Sequence, residues 1–297
     1  MFGKQIKIAL AIVTAICAIS CASLLIKLTD APPMTVAFYR VLIATCLYAP
    51  FVRTRSGDVV LLRQHKTLMC IGGTCLAAHF GFWISSLSYT SIASSVSLVN
   101  TSPIFVALFS RFLRTRDTVK EGLSLWLWIG IALGVVGSAG LAGSDMLNPE
   151  KHSFTGDMLA LLGAISLAGY LMAGRAVGSS VPLPLYLTCV YGFAAAMLLP
   201  VCLMTKSTLV NLPWNTFLML ILIGIVPQGI GHSLVNWTLR YLPAYLVALY
   251  IIGEPIGAAL LAYFFLGERP SSAEIVCIGL ILTGILISQI AFSRRKT

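Results

Sequence analysis

Charged residues are scarce in this chain, and acidic ones are scarcest. Only 10% of its 297 residues are charged, with ten Asp and Glu against twenty Lys and Arg. A soluble domain is about a quarter charged, so that class is excluded. Signatures of chemistry are missing too. There is no Walker A loop, no GxSxG elbow, no HExxH helix and no pair of neighbouring carboxylates. Eight cysteines occur, all within apolar runs, with no CxxC and no Cys/His cluster. Neither a disulfide framework nor a metal site is indicated, and no cofactor is implied. The net charge of +10 does not mark a nucleic-acid partner, because the basic residues lie in short loops rather than on one soluble face.

What is present is apolar sequence. Hydrophobic residues make up 58% of the chain, and the mean hydropathy is +0.92. A spanning helix needs about 17–25 mostly apolar residues. Ten runs qualify: 8–26, 34–52, 68–88, 92–112, 124–143, 157–175, 185–204, 215–238, 244–266 and 274–292. They lack period-2 alternation, and backbone in lipid must satisfy its own hydrogen bonds. The expected fold is therefore all-α, a polytopic membrane protein of ten transmembrane helices in a lipid bilayer. The start MFGKQIK is basic like a signal peptide, but the run after it is longer than an h-region and no small-x-small site follows. The expectation is a retained first span.

Basic residues set the orientation. With the N-terminus inside, fifteen Lys and Arg fall on the inner side. Four fall outside (Lys27, Lys151, Lys206 and Arg269), and Arg40 lies within a span. Both termini are expected in the cytoplasm, with the chain in the inner membrane.

The chain also repeats itself. Shifted by 152 residues, SLSYTSIASSVSLVNTSPIFVALFSRFLRTRD (86–117) overlays TLRYLPAYLVALYIIGEPIGAALLAYFFLGER (238–269) without a gap, aligning Tyr89 with Tyr241 and Pro103 with Pro255. The organisation expected is a first five-helix repeat over 1–147, a second over 153–292 and a basic tail at 293–297. An odd number of spans per repeat inserts the two halves in opposite senses, as in many secondary transporters.

These same stretches, with AFYRVLIA at 37–44 and the terminal Gly267-Glu268-Arg269, resemble the paired halves of EamA-type transporters of the drug/metabolite transporter superfamily. The resemblance covers nearly the whole chain. It implies a ten-helix carrier with a central cavity for amino acids, purines, other metabolites or drugs, often moved outward. The first copy departs from it, with Arg114-Thr115-Arg116-Asp117 where the family ends this span in Gly-Glu-Arg.

Polar residues inside spans are the candidates for a site. Glu254 is the only acid near the middle of a span. A charge there costs about 2.5–3.5 kcal/mol on insertion scales and faces a cavity or a partner. It either binds a substrate cation, exchanges a proton, or is a structural carboxylate. Pro255 next to it is expected to kink its helix, and Pro103 in the first copy is expected, like Pro255, to act as a hinge. Tyr250 and Gly257 would share the face of Glu254 in a continuous helix. Gln228, His232 and Asn236 form a stripe at i, i+4 and i+8. His79 and Trp83 lie on one face of the third span, and the 152-residue shift brings His79 to within one position of His232. Tyr170 and Trp83 are candidates for stacking on a ligand, and Asn100 for lining the cavity. Small residues of span four and Gly130xxxGly134 are expected mainly to let helices approach closely. Arg40 is assigned to gating with the two prolines, and pairing with a substrate carboxylate is the alternative.

The function expected is a secondary transporter for a small metabolite such as an amino acid. It is not an enzyme, is proton-coupled or facilitative, and works in efflux. The alternatives are an uptake carrier or exchanger, a carrier of cationic drugs, and, outside the class, an intramembrane enzyme or a channel.

Overall fold

The computed structural model describes residues 2–52, 57–90, 92–112, 124–146, 153–261 and 272–294. Their regular structure is helical. It comprises α1 (Phe2–Ser20), α2 (Ala22–Lys27), α3 (Pro33–Tyr48), α4 (Asp58–Ser86), α5 (Ile92–Val99), α6 (Ser102–Phe112), α7 (Leu125–Met146), α8 (Phe154–Val177) and α9 (Leu183–Met204). There follow α10 (Trp214–Ile223), a π-helical segment (Gly224–His232), α11 (Ser233–Thr238), α12 (Ala244–Ile251), α13 (Glu254–Leu261) and α14 (Ser272–Ser293). The protein is an all-α polytopic membrane protein. Among the described residues seven helical stretches are long and apolar enough to cross a bilayer, and Leu125–Gly140 and Ala244–Gly257 are shorter apolar helices. Leu10, Val13, Trp126, Leu282 and Leu286 are exposed, as side chains facing lipid would be.

Beyond the parting of run 8–26 into α1 and α2 at Cys21, the structure departs from the expected runs at three places. Run 92–112 is not one helix but two, parted at Asn100 and Thr101. Run 244–266 is parted in the same way at Ile252 and Gly253. Both second segments open with a residue followed by proline, Ser102-Pro103 and Glu254-Pro255. Ser102 and Glu254 are already helical, so each proline stands second in its helix, where the N–H it lacks would have no intrahelical partner. The helices therefore break ahead of Pro103 and Pro255 instead of kinking at them. The start and end of α5 and the start of α6 recur 152 residues later in α12 and α13. Run 215–238 carries the third departure, its π segment. Pro227 there has no N–H to give and crowds the carbonyl of Ile223, which favours a wider turn. The Gly-Glu-Arg and Arg-Thr-Arg-Asp signatures, like the linker at 147–152, lie outside the described residues.

Chain direction gives the bundle two ends. Lys4 lies over the Tyr241 ring at 4.4 Å, Arg175 Nη1 donates to Leu239 O at 3.0 Å, and Arg240 Nη2 donates to Val181 O at 2.6 Å. These contacts tie together the N-terminal end. At the other end Thr35 Oγ1 and Tyr39 Oη donate to the carbonyls of Thr208 and Leu209. Thr90 and Ser94 donate to Asp157 at 3.1 Å each, which fastens the start of α5 to the start of α8.

α7 and α14 pair along their length through small residues. A methyl group on Gly130 would sit 2.6 Å from the carbonyl oxygen of Gly284, and one on Gly137 would sit 2.7 Å from that of Cys277. Backbone cannot yield as a side-chain tip does, so these glycines set the helix separation. Gly130→Leu is expected to lower the thermal midpoint of the detergent-solubilised protein by several degrees, a cost of about 1–3 kcal/mol for overpacking. Gly279→Ala serves as the control. Nothing lies within 4 Å of an added Cβ there, so its midpoint should hold or rise.

Candidate functional site

The residues singled out from sequence fall into two groups. One group gathers where α3, α4, α8, α9, the π segment, α11 and α13 meet. The other lies at helix contacts elsewhere.

Arg40, on α3, is at the centre of the first group and is 0% exposed. Its Nε donates to Gln228 Oε1 at 2.9 Å. Its guanidinium carbon lies 4.1 Å from the Phe80 ring centroid and 5.7 Å from that of Trp83, within the range of cation–π attraction. Gln228 reaches it because the π segment packs hard on α3. A methyl group on Gly224 would meet Ile43 at 2.6 Å, and one on Gly229 would meet Leu47 at 2.7 Å. Ile43 and Leu47 follow Arg40 one and two turns along α3. Tyr48, the last residue of α3, donates to the carbonyl of Gly229 at 2.7 Å.

Around this pair stands a wall of rings. His79 and Trp83 stack with centroids 5.8 Å apart and planes 7° apart. His79 Nδ1 donates to Gly163 O at 2.9 Å, which in the neutral ring leaves Nε2 as an acceptor. His232 lies 6.4 Å from His79, 5.3 Å from Phe80 and 6.3 Å from Tyr170, measured between centroids. Asn236 donates through Nδ2 to Tyr170 Oη and to the carbonyl of His232. Tyr191 Oη and Ser233 Oγ are 3.1 Å apart.

Glu254 opens α13 beside α1, where Ser20 Oγ donates to its carbonyl oxygen at 2.8 Å. Its side chain is 7% exposed, and its carboxylate and Arg40 act on each other electrostatically. Polar atoms of this group stay unsatisfied. Arg40 Nη1 and Nη2, Trp83 Nε1, Gln228 Nε2, His232 Nδ1 and Glu254 Oε1 are buried and find no hydrogen-bond partner among the described residues. Each such atom costs about 1–3 kcal/mol, more when charged, so their concentration in one place asks for a functional reason.

The second group has partners. Asn100 Nδ2 donates to Ser138 Oγ on α7 at 3.1 Å, and Ser97 Oγ to Ser138 O at 2.8 Å. Tyr250 Oη donates to Gln289 on α14. The break before Glu254 parts Tyr250 from the face it would share in a continuous helix, and Gly257 turns to Ser20. Sequence reasoning missed Phe80 and Tyr191, whose apolar runs carry no mark of a site. It also missed the π segment, for which Pro227 among three nearby glycines was the available signal.

A cavity of about 570 Å³ opens at the end away from Lys4, lined by Ser23, Lys27, Val36, Ile84, Ser88 and Thr90 among others. It lies next to the polar cluster and does not contain it. Val36 precedes Arg40 by one turn, Ile84 adjoins Trp83, and Ser23 follows Ser20 by three residues.

Comparison with known proteins follows the same lines. A profile of the EamA-like transporter family matches residues 5–143 and again 154–289. The chain is 24% identical over 270 residues to the uncharacterized transporter YxxF of Bacillus subtilis, covering 88% of this chain and 83% of that one. It is 23% identical over 272 residues to an uncharacterized transporter of Archaeoglobus fulgidus, covering 90% of each. It is 25% identical over 279 residues to a WAT1-related protein of Arabidopsis thaliana, covering 84% of this chain and 72% of that one. A solved crystal structure superposes with a TM-score of 0.74 at 20% identity, over 98% of this chain and 99% of the other, a likeness of fold.

The Asn236–Tyr170 contact gives the site a stability test. Asn236→Leu should cost about 0.5–1.5 kcal/mol by removing one of the two hydrogen-bond partners of the Tyr170 hydroxyl, Tyr191 being the other. Combining it with Tyr170→Phe should recover much of that loss. A double-mutant cycle from thermal or denaturant unfolding in detergent measures the coupling, and strict additivity would show that the contact contributes nothing.

Proposed function

This chain belongs to the EamA-like transporter family, and we propose that it is a secondary carrier moving a small organic metabolite of the amino-acid kind by alternating access. The observation that carries this reading is the set of buried, unpartnered polar atoms on Arg40, Trp83, Gln228, His232 and Glu254, next to a cavity open at one end. Polar groups cluster unpaired inside an apolar bundle where a solute is to replace water, and interrupted helices are the common way of building such a site.

Two matches of the family profile and the recurrence of the interrupted helix 152 residues on support a division into repeats at 1–147 and 153–292 with a short basic tail. Five spans in each insert the halves in opposite senses. Basic residues then favour both termini in the cytoplasm of an inner-membrane protein. On that orientation the cavity faces outward, and the contacts of Lys4, Arg175 and Arg240 close the inner end. Pro103, Pro255 and the helix breaks before them are the hinges about which the two ends exchange. The net direction is export, and Glu254 is the group that couples flux to protons.

Reconstituted vesicles test this directly. A carrier gives saturable uptake and counterflow, which a channel does not, and an enzyme would alter the solute. Glu254→Gln is expected to abolish accumulation driven by a pH gradient while saturable counterflow persists at a reduced substrate affinity. Unchanged pH dependence in that variant would remove Glu254 from coupling and leave a facilitative carrier. Orientation has its own test in a cysteine-free background. Thr90→Cys should react with an impermeant thiol reagent from outside, and Arg175→Cys only from inside.

A further inference from the structure

We propose that Arg40 is the anchor for a carboxylate of the substrate and Glu254 the acceptor for a cationic group at its other end, so that the site is built for a zwitterion. This deepens the carrier reading above and rests on it.

The guanidinium of Arg40 is already half recognised by the protein. Its Nε is held by Gln228 Oε1 at 2.9 Å, and one face lies against Phe80 at 4.1 Å. Those two contacts fix the plane of the group. They leave free the two terminal nitrogens, which are buried and unpartnered among the described residues. A planar fork with both prongs free is the geometry that takes a carboxylate through two parallel hydrogen bonds. A guanidinium that served only to brace the bundle would have its prongs on backbone carbonyls, as Arg175 and Arg240 do.

The neighbours of the fork agree in sign. Trp83 Nε1 and Gln228 Nε2 are further buried donors without partners. An indole N–H can only donate, so it adds to a pole that favours negative charge. The opposite pole is Glu254, whose Oε1 is a buried acceptor without a partner. Arg40 and Glu254 act on each other's charge, yet neither the prongs nor Oε1 is used in a hydrogen bond among the described residues. Opposite charges held in one interior with their bonding atoms unspent suit a ligand that carries both signs. A purely cationic solute would meet the uncompensated charge of Arg40, and a simple anion that of Glu254.

The test uses the full-length protein in detergent and thermal stabilisation by each of the twenty L-amino acids as probe. At least one should stabilise it, and the primary amide and the decarboxylated amine of that amino acid should bind at least tenfold more weakly. Arg40→Lys keeps the charge but not the fork. It should bind the amino acid at least tenfold more weakly while its affinity for the amide is unchanged, a selectivity that misfolding does not produce. Gln228→Leu, which frees the guanidinium to turn, should lose about three- to tenfold and serves as a second variant should Arg40→Lys fold poorly. Glu254→Gln should narrow the preference for the amino acid over its deaminated acid. Binding of the amide as tight as that of the amino acid, wild-type affinity in Arg40→Lys, or no stabilisation by any of the twenty would each overturn the proposal. Saturable counterflow of any solute in wild-type vesicles keeps the carrier reading standing in those cases, and its absence removes both.

Discussion

A guanidinium that is 0% exposed inside a bundle of mostly apolar helices is the constraint around which the rest of this protein is arranged. Arginine does not escape burial by giving up its proton, so the charge has to be met where it stands. Bringing an ion into a low-dielectric interior costs several kcal/mol even after relaxation. Phe80 offers the electron-rich face of its ring, Gln228 accepts from Nε, and the field of Glu254 acts from a neighbouring helix. Each of these needs backbone placed within narrow limits. Gly224 and Gly229 supply one of those placements, since a side chain at either would push the π segment off α3 and take Gln228 with it.

The second constraint is that backbone in a bilayer has no water to turn to. Irregular backbone is tolerated there when protein surrounds it. Besides the half-buried turn at Cys21, the described helices lose their regular pattern around Asn100, from Gly224 to His232 and at Ile252–Gly253, and Asn100, Gln228, His232, Ile252 and Gly253 are all buried. At the last of these sites Ser20 Oγ on α1 donates to Glu254 O. The protein thus spends its irregular backbone where polar groups gather. At that depth a half-helix beginning at Glu254 also places its N-terminal dipole end in the interior.

Much of the fold was legible because lipid leaves a chain few choices. Apolar run length gave the helices, and the 152-residue shift gave the interrupted pair before any geometry was known. A proline inside an apolar run reads as a kink at its own position, whereas Pro103 and Pro255 stand in the first turn of the helix that follows each break. Of the site, Trp83, His79, Gln228, His232, Asn236, Tyr170 and Glu254 stood out as polar or ring residues at helical spacing, and the structure brings them near one another. Asn100 and Tyr250 showed the same kind of signal but are spent on α7 and α14. Spacing fixes which face of a helix a residue takes, not which helix that face will meet. Arg40 was visible as the one basic residue within a span. Its assignment to gating rests on the family-like context FYR, which says nothing of Phe80 and Gln228 lying across from it.

The two-repeat reading gives this arrangement a further consequence. A shift of 152 aligns Glu254 with Ser102 and Trp83 with Val235, and the shift that aligns Pro50 with Pro200 takes Arg40 to Val190. Neither charge has a charged counterpart in the other half. On the proposed division the charges do not repeat: Arg40 would fall in the first half and Glu254 in the second. If the halves rock against each other, the distance between Arg40 and Glu254 is among the quantities that change. A ligand holding one pole gains nothing from that motion. A ligand bridging both ties its own binding energy to the relative position of the halves, and a ligand shifts a conformational equilibrium only by its differential affinity for the two states. On the proposed division, unlike charges on opposite repeats would let substrate recognition and the change of access draw on the same contacts.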